Sequence, residues 1–145
     1  MVQRVFDEKQ ANYCDTLLTK LIQDERQYDN SINENFKVND YFRNIIKNDK
    51  NILLCYEENN FIVGYIYLKP ITNDTQKGYL IDGLYVEKQY RNKGIGKKLV
   101  EEALNLIKNN YDFIDINVLY ANKIALKLYK SLGFKEFKIC MRKIS

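Results

Sequence analysis

Residues 84–99 read Leu-Tyr-Val-Glu-Lys-Gln-Tyr-Arg-Asn-Lys-Gly-Ile-Gly-Lys-Lys-Leu, a strand-like stretch that enters a basic, glycine-bearing turn and then a helix. The first turn of a helix presents unpaired N–H groups and a partial positive charge, which Asp or Glu ordinarily answers. Here that turn carries Lys97 and Lys98, and the first acid is Glu101. Each misplaced cation costs roughly 0.3–1 kcal/mol. Gly94 and Gly96 lower helix propensity and let a ligand approach the backbone closely. An external anion repairs this local conflict, with a phosphate or pyrophosphate as the sensible candidate. A tight turn before a solvated, lysine-rich helix fits the glycines and charges equally well. The turn is neither GxxxxGK[ST] nor GxGxxG, because Leu99 stands where the third glycine belongs.

Around this segment the chain alternates between strand and helix patterns. Val2–Phe6 reads as a short strand. Asp7 with Gln10 resembles a capping box, ahead of Ala11, Cys14, Leu17, Leu18, Leu21 and Ile22 at helical spacing. A second short helix carries Tyr41, Phe42, Ile45 and Ile46. Residues 51–56 and 61–68 form strands across a polar break, Pro70–Lys77 is a turn region, and Gly78–Val86 is a third strand whose Gly83 hints at a bulge. A helix follows to about Asn109, then an alternating strand over Phe113–Leu119. The last helix covers Asn122–Leu132 with Ala125, Leu128 and Leu132 as its stripe, and Gly133 ends it in a left-handed cap. Phe134–Arg142 closes the chain as a strand. The order β-α-α-β-β-β-α-β-α-β predicts an α/β (α+β) mixed sheet with helices packed on it.

Composition narrows the functions. A chain of 145 residues with 46% hydrophobic and 29% charged residues suits one compact domain, residues 1–145. The net charge of +4 is spread among interleaved acids, so a nucleic-acid partner is not expected. With no histidine, His-dependent triads and most zinc sites are excluded, and no metal is expected. Cys14, Cys55 and Cys140 have no metal spacing and read as reduced core thiols of a cytoplasmic protein. The start of the chain has no signal-peptide pattern, and its longest apolar run, 61–68, is far short of the ~20 residues of a membrane helix, so no membrane association is expected.

Arg91-Asn92-Lys93-Gly94-Ile95-Gly96 resembles the [QR]-x-x-G-x-[GA] signature of the GNAT superfamily of N-acetyltransferases, with Leu84-Tyr85-Val86 before it and Tyr90-Arg91 leading in. A second match, Asn122-x-x-Ala125-x-x-Leu128-Tyr129-x-x-x-Gly133-Phe134, resembles the family's later helix and strand start. The resemblance is specific from about Gly78 onward and only topological before it. It implies a GNAT-like fold and direct transfer of acetyl from acetyl-CoA, as cosubstrate, to a primary amine of a small molecule or peptide. It further implies that the backbone of Arg91, Asn92, Lys93, Gly94, Ile95, Gly96 and Lys97 cradles the pyrophosphate. Leu84, Tyr85 and Val86 would pair with the pantetheine arm.

Each implied role has a plain structural counterpart. Asn122 is a pantetheine contact, a helix N-cap, or both. Tyr129 is a general acid toward the departing thiolate, or a core tyrosine. Asp82, where several members have Glu, is a general base acting through water, or a carboxylate that stabilises a bulge beside Gly83. Gly83 helps the sheet to part, or is an ordinary bulge. The acids Asp24, Glu25, Asp29 and Glu34, with Tyr28 and Phe36, line a cation pocket or a solvated loop. The rival from another class is a catalytically silent acyl-CoA-binding regulatory module. Homodimers are common among the members the chain resembles, and self-association stays open.

Overall fold

The computed structural model describes residues 1–145. Five strands form one sheet in the order β1-β2-β3-β4-β5: β1 (Val2–Arg4), β2 (Ile52–Glu58), β3 (Phe61–Thr72), β4 (Lys77–Val86) and β5 (Phe113–Ile116). All neighbours are antiparallel except β4 and β5, which run parallel through the crossover helix α3 (Ile95–Leu106). Helices α1 (Glu8–Glu25) and α2 (Phe42–Ile45) precede β2, and α4 (Lys123–Ser131) follows β5.

The sheet separates two apolar layers. On one side Ile66, Leu68 and Ile81 pack with Leu99, Val100 and Ala103 of α3 and with Tyr129 of α4. On the other side Leu53, Tyr65, Tyr67 and Tyr85 pack with Ala11, Cys14 and Leu17 of α1 and with Phe42 of α2. The α1 stripe predicted from spacing is thus used, and the Asp7 carboxylate accepts from the Gln10 N–H at 3.0 Å as the start cap. Phe42 is central to the second layer, with the Tyr65 and Tyr67 rings edge-on to it at 5.4 and 5.7 Å.

Helix α2 is too short to hold itself. Its anchor is Asp15, 4% exposed on α1, whose carboxylate accepts from the Phe42 N–H at 2.9 Å and the Tyr41 N–H at 3.3 Å.

Three expectations change. β3 continues through Pro70 to Thr72 rather than turning there. Pairing of β2 with β3 begins at Ile52 opposite Leu68, so Pro70 lies beyond β2 and no ladder bond is asked of its missing N–H. Phe134–Arg142 forms no strand: no backbone group of residues 135–145 takes part in a backbone hydrogen bond, and Phe137, Ile139 and Met141 are exposed. Their alternation is strand-like, yet a strand exists only with a neighbour, and none is in register here. Cys140 lies on this exposed tail, so only Cys14 and Cys55 are core thiols.

Asp15→Ala leaves two N–H groups of α2 unpaired, one of them buried. It is expected to lower unfolding stability by about 1–3 kcal/mol. Urea denaturation read by tyrosine fluorescence checks this, and the midpoint should fall with the slope unchanged.

Candidate active site

The ladder between β4 and β5 has four rungs, from Gly78 opposite Phe113 to Ile81 opposite Ile116, and stops there. On its other edge β4 stays paired with β3, but the register slips between Tyr67–Leu68 and Ile81–Gly83, leaving Asp82 as the extra residue of a bulge. Ile81 and Leu84 consequently both face the α3 layer, although they are three residues apart. The bulge places Asp82 and Gly83 toward the α1 layer. A Cβ at Gly83 would lie 2.5 Å from the Tyr65 hydroxyl, so glycine is what lets that ring lie across the strand.

Beyond the bulge the outer edge of β4 has no strand beside it. The Glu87 N–H bonds to the Val63 carbonyl at 2.8 Å. By antiparallel alternation Tyr85 then bonds across to Tyr65, while Leu84 and Val86 turn their backbone groups to the open edge. Only the Val86 carbonyl has a partner there, the Arg91 Nε–H at 2.7 Å. Sequence patterning placed the strand correctly, but which peptide groups stay open depends on where β5 leaves.

The turn that follows is bent by Asn92 and Gly94, both left-handed at φ 64° and 79°. Gly94 is the N-cap of α3 and supplies no side-chain cap. None of the backbone N–H groups from Asn92 to Lys97 donates a hydrogen bond within the protein. Nothing lies within 4 Å of a Cβ placed on Gly94. An unobstructed run of free donors, flanked by Lys93, Lys97 and Lys98, suits an anion with several oxygens. The residues present therefore fit a pyrophosphate.

The Arg91 side chain is occupied. Besides its bond to Val86 it lies 5.1 Å from the centre of the Tyr85 ring and pairs with Asp24 of α1 at 3.3 Å. A second ion pair, Lys20 to Glu87 at 2.8 Å, ties α1 to the same end of β4. The Arg91 guanidinium thus holds the turn against α1, and its backbone N–H already donates to the Lys88 carbonyl at 3.3 Å.

Tyr129 is 6% exposed, with its ring edge-on to Phe134 at 5.6 Å. Burial pushes its phenol well above the ordinary value of 10.0. Its hydroxyl makes no hydrogen bond within the protein and is not sealed from solvent. Asn122 caps α4, accepting from the Ala125 N–H at 3.1 Å, so its cap role is present whatever else it does. The Asp82 carboxyl has no hydrogen bond or ion pair. Partial shielding raises its pKa above 3.8, and Lys69 opposes that rise.

The acids at the end of α1 and just beyond it resolve differently from a cation pocket. Asp24, Asp29 and Glu34 are paired with Arg91, Arg142 and Arg26, respectively. Glu25 alone of that group has no partner, and partial burial raises its pKa. Sequence reasoning overlooked Tyr65, whose hydroxyl is buried without a partner beside Gly83. It sits in the apolar run 61–68, where no sequence signal distinguishes it. No cluster of metal-ligating side chains is present, and no helix is long and apolar enough to cross a membrane.

Comparison with known proteins bears on this geometry. Over 78 residues, 52% of the chain, it is 35% identical to an N-alpha-acetyltransferase of Sulfurisphaera tokodaii, covering 46% of that protein. The chain spans about half the length of the curated relatives it matches. Among solved structures, a mutant of the BH1408 protein of Bacillus halodurans superposes with a TM-score of 0.85 at 19% identity, covering 100% and 99% of the two chains. An aminoglycoside N-acetyltransferase, AAC(6')-Iy, solved in complex with CoA, superposes at a TM-score of 0.74 with 14% identity and 100% coverage of both. These structural likenesses show a shared fold. The model of the acetyltransferase (GNAT) family matches residues 16–134, and the chain belongs to that family.

Proposed function

We propose that residues 1–145 act as one N-acetyltransferase domain that transfers acetyl from acetyl-CoA directly to a primary amine. The observation that carries this reading is the run of free N–H groups from Asn92 to Lys97 next to the open edge of β4. The donors of Asn92, Lys93, Gly94, Ile95, Gly96 and Lys97 hold the pyrophosphate, and Arg91 fixes the start of that turn through its bonds to Lys88, Val86 and Asp24. Leu84 and Val86 pair with the pantetheine amides as an added strand pairs with an edge, and Tyr85 between them holds that edge to β3 through its pairing with Tyr65. Asn122, while capping α4, contributes a further contact to the same arm. The curated relatives named as N-alpha-acetyltransferases favour a peptide amino terminus as the acceptor. A cytoplasmic setting agrees with the two buried free thiols.

The thioester supplies an activated acetyl group. Asp82 takes the ammonium proton through a water, freeing the nitrogen lone pair to attack the carbonyl carbon. The new C–N bond forms as the C–S bond breaks; the sulfur leaves as thiolate, the nitrogen sheds its remaining extra proton to water, and the thiolate takes up a proton from solvent. Tyr129 donates a hydrogen bond to that sulfur from its open hydroxyl. A thiol pKa of ~8.5 makes sulfur a good leaving group, so this help is modest. We also propose that the chain self-associates as a homodimer through the exposed, alternating tail. Sedimentation equilibrium is expected to show a dimer that Phe137→Lys with Ile139→Lys converts to monomer.

Calorimetric titration is expected to show saturable acetyl-CoA binding. Gly94→Glu, which sets a carboxylate in the anion turn, should weaken it at least about 100-fold, while circular dichroism reports an intact fold. Absence of binding by the folded wild type would overturn the proposal, and binding without turnover of any amine would leave the silent module.

Asp82 must be ionised to act as base, and its pKa is raised, so kcat/KM should be lost as pH falls through that raised value. Asp82→Asn should lower kcat/KM about 10²-fold and remove this acidic limb. Tyr129→Phe should lower kcat about 10-fold. Because the Tyr129 phenol lies above 10.0, it should produce no alkaline decline below about pH 10.

A further inference from the structure

We infer that Glu25 and Tyr65, together with Asp82, form the acceptor's ammonium subsite, and that it takes amines without a neighbouring carboxylate, such as peptide amino termini, in preference to free amino acids. This rests on the acetyl-transfer reading above and names the part of the site that selects the amine.

Tyr65 is 0% exposed, and its hydroxyl has no hydrogen-bond partner. A buried, unpaired hydroxyl is costly, and a fold without a use for it would carry phenylalanine there. The ring is held across β4 at Gly83, next to the bulged Asp82, at the point where β5 has left the strand. Asp82 approaches this layer from the β4 bulge, and Glu25 ends the α1 stripe of Cys14, Leu18 and Leu21 that packs on the Tyr65 layer. Both lack a hydrogen-bond or ion-pair partner, and both are partly shielded. Lys69 faces Asp82 without forming an ion pair with it, and Asp29 faces Glu25. The other groups near the phenol are Cys14 and Tyr41, neither a cation.

The contrast with the neighbouring acids is informative. Asp24, Asp29 and Glu34 are each neutralised by an arginine of the same chain. The two left free stand on the two elements, α1 and the β4 bulge, that meet the layer of the sealed, unpartnered Tyr65 hydroxyl. Glu25 also stands at the negative end of the α1 dipole, where an anion is disfavoured until a cation arrives. An ammonium satisfies all three groups at once. It donates to the Tyr65 hydroxyl oxygen and offsets the charge of both carboxylates. A free amino acid would bring its own α-carboxylate into the same space, and like charges at that range are strongly disfavoured. A peptide places its nearest carboxylate residues away. The site would thus recognise the amine by charge before Asp82 accepts its proton.

The test uses the full chain with CoA bound and a probe peptide, Ala-Gly-Gly amide, with alanine as the comparison ligand. Binding is followed by NMR titration at neutral pH. Saturable binding of the peptide is expected in the wild type, with alanine bound at least 10-fold more weakly. Glu25→Gln should weaken the peptide at least about 10-fold and reduce the discrimination. Tyr65→Phe should weaken it as well while leaving thermal stability equal or higher, because the unpaired hydroxyl is gone. Acetyl-CoA affinity should be unchanged in both variants. A purely structural role for Tyr65 or Glu25 would leave peptide affinity unmoved. Wild-type affinity in both variants, equal binding of alanine and the peptide, or no peptide binding would each overturn the subsite. Loss of acetyl-CoA binding by the wild type would instead strike the acetyl-transfer reading, so the two failures are told apart.

Discussion

The site depends on where β4 and β5 part company. Four rungs of parallel ladder hold the two strands together, and past Ile81 and Ile116 the hydrogen bonds stop. That separation leaves the peptide groups of Leu84 and the Val86 N–H with only solvent or a ligand to satisfy them, the Val86 carbonyl being held by Arg91. The bulge at Asp82 falls at the same level on the opposite edge. It turns a carboxylate and a glycine toward the α1 layer while Leu84 returns to the α3 layer. One irregularity thus makes an open backbone edge on one side and sets a partly shielded carboxylate on the other. Neither could exist in a strand paired along its whole length, because every donor would be spent and side chains would alternate without exception.

Arg91 joins the two halves of this arrangement. Its guanidinium bonds to the Val86 carbonyl, lies against the Tyr85 ring and pairs with Asp24 at the end of α1. Surface ion pairs are worth only about 0.2–1 kcal/mol each, so their contribution to stability is small. Their value lies in placement. Two of them, with Lys20 and Glu87 as the second, hold the C-terminal half of α1 against the strand end that leads into the anion turn. Glu25 sits in that same helical turn. A shift of the turn would therefore be felt at the α1 face of the sheet, where the acceptor subsite is proposed.

Local chemistry was legible in the sequence, and partnership was not. The glycine turn, the Asp7 and Asn122 caps, the left-handed Gly133 and the α1 stripe each depend on residues a few positions apart, and each is found where spacing placed it. The tail was misread because Phe137, Ile139 and Met141 carry a strand's alternation without a neighbouring strand to complete it. Pro70 was misread for the opposite reason: a turn residue is harmless in β3 because β2 has already ended. Of the proposed site residues, the motif positions fall around one open edge, but Tyr65 carries no mark in an apolar run. Its significance comes from Gly83, eighteen positions later and across a strand pair.

Burial gives the two proposed proton-handling groups different kinds of work. Tyr129 is enclosed by apolar neighbours, so its phenol is a poorer acid than in water and stays protonated throughout the useful pH range. Giving up that proton to a thiolate of pKa ~8.5 would run uphill, so a hydrogen bond that grows as charge develops on sulfur is the more economical role. Asp82 is only partly shielded, which raises its basicity, with Lys69 opposing the rise. The harder task is on the acceptor side, where an ammonium must lose its proton before its nitrogen can attack. A bound ammonium among carboxylates is itself a weaker acid, so recognition by charge works against deprotonation. On an exposed bulge, Asp82 as the proposed base would let the proton leave by solvent while the proposed subsite holds the amine.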